Sequence, residues 1–316
     1  MDIRQLRYFV RIVESRSFTR AAETLLISQP AIGLQVRKLE EELGVTLLVR
    51  HSRGVEPTRE GEVLLKSARN ILAEMDQLAQ AVRDCSAEAH GKVRLGLAPS
   101  LSVLFAEPLM SLAAKRLPGV DLECIESTSP LLKQWVAERS IDLAMGCEDE
   151  PHPDVREQSL FSEALYLVGS GRQSKPIEEA VIPFRSLAGR QILLADPMRS
   201  GLVQKKIKAA VLATGREVSI TAVHPSVEVV KLLVEDGKGE TILPWSSIRR
   251  ECQQGRLSAR RVVDPDLLRH ALVFSHRAHP ISHAQGEVLK LINDAIREER
   301  DLAPSSAFAG SHELQV

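Results

Sequence analysis

Apolar positions recur at helical spacing through the first 44 residues, in a seven-residue repeat over the next helix, and in many short strand-like runs after residue 92. Ile3, Leu6, Phe9, Val10 and Val13 fall three and four apart, which predicts an amphipathic helix over residues 2–14. A second short helix is predicted from Phe18, with Ala21, Ala22, Leu25 and Leu26 on its stripe and a break at Ile27-Ser28. Ser28 suits the N-cap of a third helix because its hydroxyl can accept from an otherwise unsatisfied backbone N–H, and Pro30 sits in the first turn, where a missing N–H does no harm. That helix keeps Ile32, Val36, Leu39 and Leu43 on one face and stops at Gly44.

The run from Thr46 to Thr58 reads as two short strands around a Gly-containing turn, a hairpin wing with Arg50 and Arg53 at its tip and stem. Thr58 then caps a long helix. On it, Leu64, Ala68, Ile71, Met75, Leu78 and Val82 recur at spacings of 4, 3, 4, 3 and 4, the seam of a two-stranded coiled coil, for which the simplest partner is a second copy of the chain. The expected segments are therefore a winged head over 1–58 and a linker and dimerisation helix over 59–90. From Lys92, strand runs alternate with helices: 93–98, 121–126, 141–146, 164–169, 191–195, 219–223, 240–243 and 270–275. This predicts a mostly parallel α/β domain over 91–300 with a second lobe at about 162–268. Residues 301–316 read as a loose tail.

Three short helices with a tight turn before the third make a helix-turn-helix pattern, whose last helix can enter the DNA major groove. The alternative is a plain helical bundle that packs on something else. What favours duplex DNA is the outer face of the third helix, where Pro30, Leu34 and Arg37 stand flanked by Gly33 and Lys38. Small and apolar groups allow close approach to base edges and thymine methyls, while Arg and Lys find guanine or phosphate. Bulk charge adds little, since the formal net charge is -1 and any nucleic-acid contact must come from a local patch. Residues 1–59 do carry 10 Lys and Arg against 7 Asp and Glu, a net of +3.

The 4 cysteines show no metal-ligand spacing, so no metal or disulfide scaffold is expected and a reducing, cytoplasmic setting fits. No apolar run is long enough to cross a bilayer, and the amino terminus lacks a signal-peptide layout. Aromatics at 3% leave little for single-strand stacking. Nucleophile-elbow and zincin motifs are missing, and Glu40-Glu41-Glu42 reads as a solvated helix end, so no catalytic residue, enzyme activity or cofactor is expected.

The residues from Phe18 through Thr19 and Ser28-Gln29-Pro30-Ala31, followed by Leu39-Glu40, Leu43-Gly44, Arg50 and Thr58-Glu60-Gly61, closely resemble the LysR-type transcriptional regulators. The wing text Arg53 to Thr58 and Thr241 to Pro244 are similar to members related to the nitrogen assimilation control protein. The resemblance implies a winged helix-turn-helix over about 18–37, a long linker helix, a two-lobed periplasmic-binding-protein-like α/β domain, a homodimer and commonly a homotetramer. It also implies a small effector between the lobes, with RNA polymerase as a further partner. Phe18, Thr19, Ser28, Gln29, Pro30, Ala31, Gly33, Leu34, Arg37, Lys38, Arg50 and Arg53 form the expected DNA-contact set. Gln29, Pro30 and Arg37 would approach bases, and Arg53 would reach the minor groove or its phosphates. Where family members often carry Ser, this chain has Gly33.

For the effector, Ser100 and Leu101 stand where the first strand of the α/β domain meets its helix, and Ser127, Thr128 and Ser129 where the second does. Two helix N-termini with free N–H groups then face one cleft, which suits a small anion. Ordinary N-capping is the competing reading for each of these hydroxyls. Ser200, Gly201 and His224 match them in the second lobe, His224 as a ligand donor or as a structural histidine. The competing function is a small-molecule binding protein whose helical head makes protein contacts.

Overall fold

A computed structural model of the chain describes residues 1–51, 54–83, 89–171, 180–195, 201–303 and 307–311. Arg53 and Ser200 lie outside these, as do Cys85 and the side chain of Val82. The chain divides into two compact units, Met1–Ala87 with Glu138–Ser140, and Glu88–Ala137 with Ile141–Val316.

The first unit holds α1 (Ile3–Ser15), α2 (Phe18–Leu25), α3 (Gln29–Leu43), strands β1 (Leu48–His51) and β2 (Gly54–Pro57), and α4 (Arg59–Arg83). Each early helix starts on a side-chain cap. Asp2 and Gln5 form a reciprocal capping box, Ser17 accepts from the Arg20 N–H, and Ser28 accepts from the Ala31 N–H. Leu6, Phe9, Ile12, Phe18, Ala21, Ile32, Val36 and Leu39 make the core. Two expected stripe positions fall outside it. Leu26 is 93% exposed because it is the left-handed C-cap of α2, turned away as the chain reverses, and Leu43 is 40% exposed in the last turn of α3. Glu40 is not simply solvated: its Oε1 accepts from Leu47 N at 2.8 Å and from Leu48 N at 3.2 Å, which ties α3 to the wing.

The expected seam on α4 is not uniform. Ala68 is wholly buried in the head's own core, and Leu64 packs against that core too. Ala68 is not free for a second chain, because α4 packs on α1 there, whereas Leu64 is only half-buried. Ile71, Met75 and Leu78 remain open, Leu78 at 67% exposure.

The second unit runs β3 (Gly91–Leu97), α5 (Pro99–Arg116), β4 (Val120–Glu126), α6 (Ser129–Ala137), β5 (Leu143–Cys147), β6 (Val155–Ser170), β7 (Val181–Pro183), β8 (Gln191–Ala195), α7 (Leu202–Thr214), β9 (Ser219–His224), α8 (Val227–Glu235), β10 (Glu240–Pro244), α9 (Trp245–Gln253), β11 (Leu257–Val263), β12 (Leu268–His276), α10 (His283–Leu302) and β13 (Phe308–Ser311). The sheet is mixed, which corrects the expectation of a mostly parallel one. β3 pairs in parallel with β4 and β5, and β8 with β9 and β10, whereas β6 and β12 run antiparallel to their neighbours. β6 belongs to both lobes: residues 155–164 pair with β12, and residues 165–168 pair with β10. The crossing therefore falls between Ala164 and Leu165.

The expected loose tail is corrected over 307–311, while residues 304–306 and 312–316 lie outside the described residues. Residues 308–311 form a strand on β6, with Ala307 and Phe308 buried. Phe308 meets the ring of Phe161 edge-on at 5.0 Å, so apolar burial holds this segment in place.

Candidate functional site

In the first unit the outer face of α3 is bare. Ser28, Gln29, Pro30, Ala31, Leu34, Arg37 and Lys38 are exposed and Gly33 is half-buried, while Ile32, Val36 and Leu39 of the same helix are buried. Leu34 at 50% exposure is an apolar side chain left in water among small and basic neighbours.

Beside α3 an open groove of about 680 Å³ is bounded by Arg16, Thr19, Arg20, Gln29, Arg50 and Gly54 among others. Its far wall is the wing, and two glycines set its place. At Gly54, with φ of +134°, a Cβ would stand 2.7 Å from the Arg16 carbonyl oxygen, which accepts from the Val55 N–H. At Gly61 a Cβ would stand 2.2 Å from the Leu47 carbonyl oxygen. Thr58 completes the join, its hydroxyl donating to Thr46 O at 2.7 Å and accepting from Gly61 N at 3.0 Å.

Phe18 is not a surface group: it is 7% exposed and belongs to the core. It is too apolar and too central in the bundle to stay in water. Arg16 and Arg20, which were not singled out in the sequence, are exposed on the groove. Their signal was weak, a left-handed cap and one turn of α2.

In the second unit the expected hydroxyls come out differently from one another. Ser100 accepts from Arg269 Nη1 at 2.9 Å, and α5 has no side-chain cap, so this hydroxyl is not spent on capping. Ser129 is 1% exposed and accepts from Cys147 N at 2.9 Å, which makes it a brace between α6 and β5 rather than a group facing ligand. Leu101 is fully buried core, on the inward side of α5. Ser127 N–H donates to Leu97 O, and Thr128 O accepts from Leu132 N at the start of α6. Gly201 is the left-handed first residue before α7. His224 is exposed, and its Nδ1 accepts from Ser226 N at 3.0 Å, a local turn contact.

The sequence reading missed the group that anchors this region. Glu163 on β6 and Arg269 on β12 are directly opposed in register, both buried, with Arg269 Nε and Nη2 donating to Glu163 Oε2 at 2.8 and 2.6 Å. Ser246, in the first turn of α9, donates to the same carboxylate through its N–H and its hydroxyl. Burial works against the Arg269 cation, yet Cys147, Glu163 and Glu148 around it outweigh that and hold its pKa above the usual arginine value. Nearby, Lys206 of α7 pairs with Glu148 at the end of β5, and Ser162 Oγ lies 2.7 Å from His270 Nδ1. A charged residue at an inward position of an apolar strand run was the available sign for both Glu163 and Arg269.

Residues 3–62 match the profile described as "Bacterial regulatory helix-turn-helix protein, lysR family", and residues 86–297 match "LysR substrate binding domain". The chain belongs to the LysR family. This LysR regulator is 31% identical over 307 residues to the nitrogen assimilation regulatory protein nac of Klebsiella aerogenes, covering 96% of this chain and 99% of that one. Among solved structures, a full-length OxyR variant from Pseudomonas aeruginosa superposes with a TM-score of 0.75 at 21% identity, covering 99% of each chain. Full-length CbnR complexed with its target DNA superposes at 0.64 with 20% identity, covering 94% of this chain and 99% of that one. The two structural likenesses carry the fold. The family and the bare α3 face together make this LysR chain a DNA-binding transcriptional regulator with an effector-binding domain. No described helix is long and apolar enough to cross a membrane.

Proposed function

We propose that this LysR-family protein is a sequence-specific regulator in the cytoplasm that acts as a homodimer or homotetramer and works by binding rather than by catalysis. The carrying observation is the outer face of α3, where half-exposed Leu34 stands among Gly33, Arg37 and Lys38. Gln29, Pro30, Ala31, Leu34 and Arg37 read base edges, while Thr19, Ser28, Lys38, Arg50, Arg53 and the groove residues Arg16 and Arg20 meet phosphates. CbnR, solved with target DNA, is the precedent for that complex. Two heads related by a twofold axis, joined through Ile71, Met75, Leu78 and Val82, would read a roughly palindromic site. A small molecule held between the lobes near Ser100, Thr128 and Gly201 shifts the population of lobe arrangements and so the geometry of the paired heads, by no more than its differential affinity for them. RNA polymerase is the proposed downstream partner.

Mapping of genome-wide bound sites followed by gel shift tests this reading. Specific sites with twofold character are the expected result. Equal retention of random and genomic duplex would overturn it, and would favour a binding protein whose head serves protein contacts. In the same assay Arg53→Ala lowers the salt slope by about one unit, as expected for one lost phosphate contact.

A further inference from the structure

Where β6 crosses between the lobes, the effector-binding domain already holds a buried anion, and it is the protein's own. The Glu163 side chain is fully buried, and its carboxylate collects four hydrogen bonds. Oε1 accepts from the Ser246 N–H at 2.5 Å, and Oε2 accepts from the Ser246 hydroxyl at 3.2 Å and from Arg269 Nε and Nη2 at 2.8 and 2.6 Å. These donors are a helix N-terminal N–H, a hydroxyl and a guanidinium, a set suited to receive a carboxylate. The helix α9 has Pro244 at its N-cap and no capping side chain from its own sequence, so the Glu163 carboxylate fills that role from a different strand.

The same network bridges the lobes. Ser246 opens a helix that follows β10, a second-lobe strand, while Ser100 opens α5, which follows a first-lobe strand. Arg269 donates to both hydroxyls, at 2.6 and 2.9 Å, and its strand β12 pairs with β6 up to Ala164, the last residue before the crossing. An incoming carboxylate would therefore find the cation matched and the helix end capped.

We infer that Glu163 is a built-in occupant of the cleft's carboxylate position, so that this chain sets the relation of its lobes without an external carboxylate at Arg269 and selects against anionic effectors there. The inference rests on the proposed control of the DNA-reading heads by this cleft, and it narrows the expectation of a small anionic effector. Remove the Glu163 side chain, and the vacated position becomes a receptor for a small free monocarboxylate.

The test uses the full chain, with formate and acetate as probes against chloride at matched ionic strength. Glu163→Ala should melt lower by about 10 °C, because a buried guanidinium loses its partner, and formate should restore the melting point saturably. Arg269→Met added to that variant should abolish the rescue. Glu163→Gln keeps the volume, so it should melt lower with no rescue. Equal rescue of the Gln and Ala variants, or none in a folded Ala variant, would overturn the inference. Should Glu163→Ala fail to fold, the parent decides: a saturable response of the parent to formate means the position is open and the inference is wrong, and no response is the expected result. If formate restores the melting point of Glu163→Ala while its affinity for a specific DNA site stays the same with and without formate, the assignment of Glu163 stands and cleft control of the heads falls.

Discussion

The guanidinium of Arg50 lies over the ring of Phe18 with its central carbon 4.0 Å from the ring centroid. One residue comes from the wing and the other from the start of α2, so a cation–π contact joins the two elements that flank the groove beside α3. The position of the wing is thus coupled to the helix-turn-helix through a side chain whose charge also faces solvent. Arg50→Ala should weaken DNA binding by a contact of about 0.5–1 kcal/mol plus any phosphate contact, and Arg50→Lys should recover part of it. Equilibrium binding at two salt concentrations measures both. Parental affinity in Arg50→Ala would show that the contact does not matter for the wing.

Leu34 and Ile32 lie two residues apart on α3 and should behave oppositely. Leu34→Ala, at a half-exposed position, should leave urea stability within about 0.5 kcal/mol of the parent and change the preferred base sequence. Ile32→Ala, at a fully buried one, should cost about 2–5 kcal/mol and lower affinity for every sequence alike.

Ala68 and Leu78 divide the long helix by role. Ala68→Leu overpacks the head core and should destabilise the chain by about 1–3 kcal/mol. Leu78→Asp should leave stability near the parent's and shift sedimentation from dimer toward protomer, since Leu78 is 67% exposed in a single chain. A Leu78→Asp chain that sediments as the parent does would place the dimer contact elsewhere.

The thiols should be slow to react. Burial raises the pKa of Cys124 and of Cys147, and burial with help from the Glu251 charge pushes Cys252 up to about 12. At pH 8 the thiolate share of Cys252 is on the order of 10⁻⁴. In a Cys85→Ser background, iodoacetamide should label the folded chain slowly and peroxide should leave DNA binding unchanged, despite the structural likeness to OxyR. Fast labelling of any of the three would contradict these environments.

The strand at 308–311 should matter to stability. Phe308→Ala should cost about 3–5 kcal/mol in urea unfolding, given its burial against Phe161. A loose tail would show no loss.

The head was legible in the sequence because its determinants are local. Caps at Ser28 and Gly44, the break after Leu26 and the period of Ile32, Val36 and Leu39 are each set within a turn or two of chain, and they left Leu34 and Arg37 outside. What the sequence could not decide were matters of which distant segment arrives where. Ala68 reads as a seam residue until α1 is seen to cover it, and Ser129 reads as a ligand hydroxyl until the Cys147 N–H claims it. Glu163 and Arg269 lie 106 positions apart. Their pairing exists only because two strands meet in register inside a low-dielectric core, where neither charge could stay without the other.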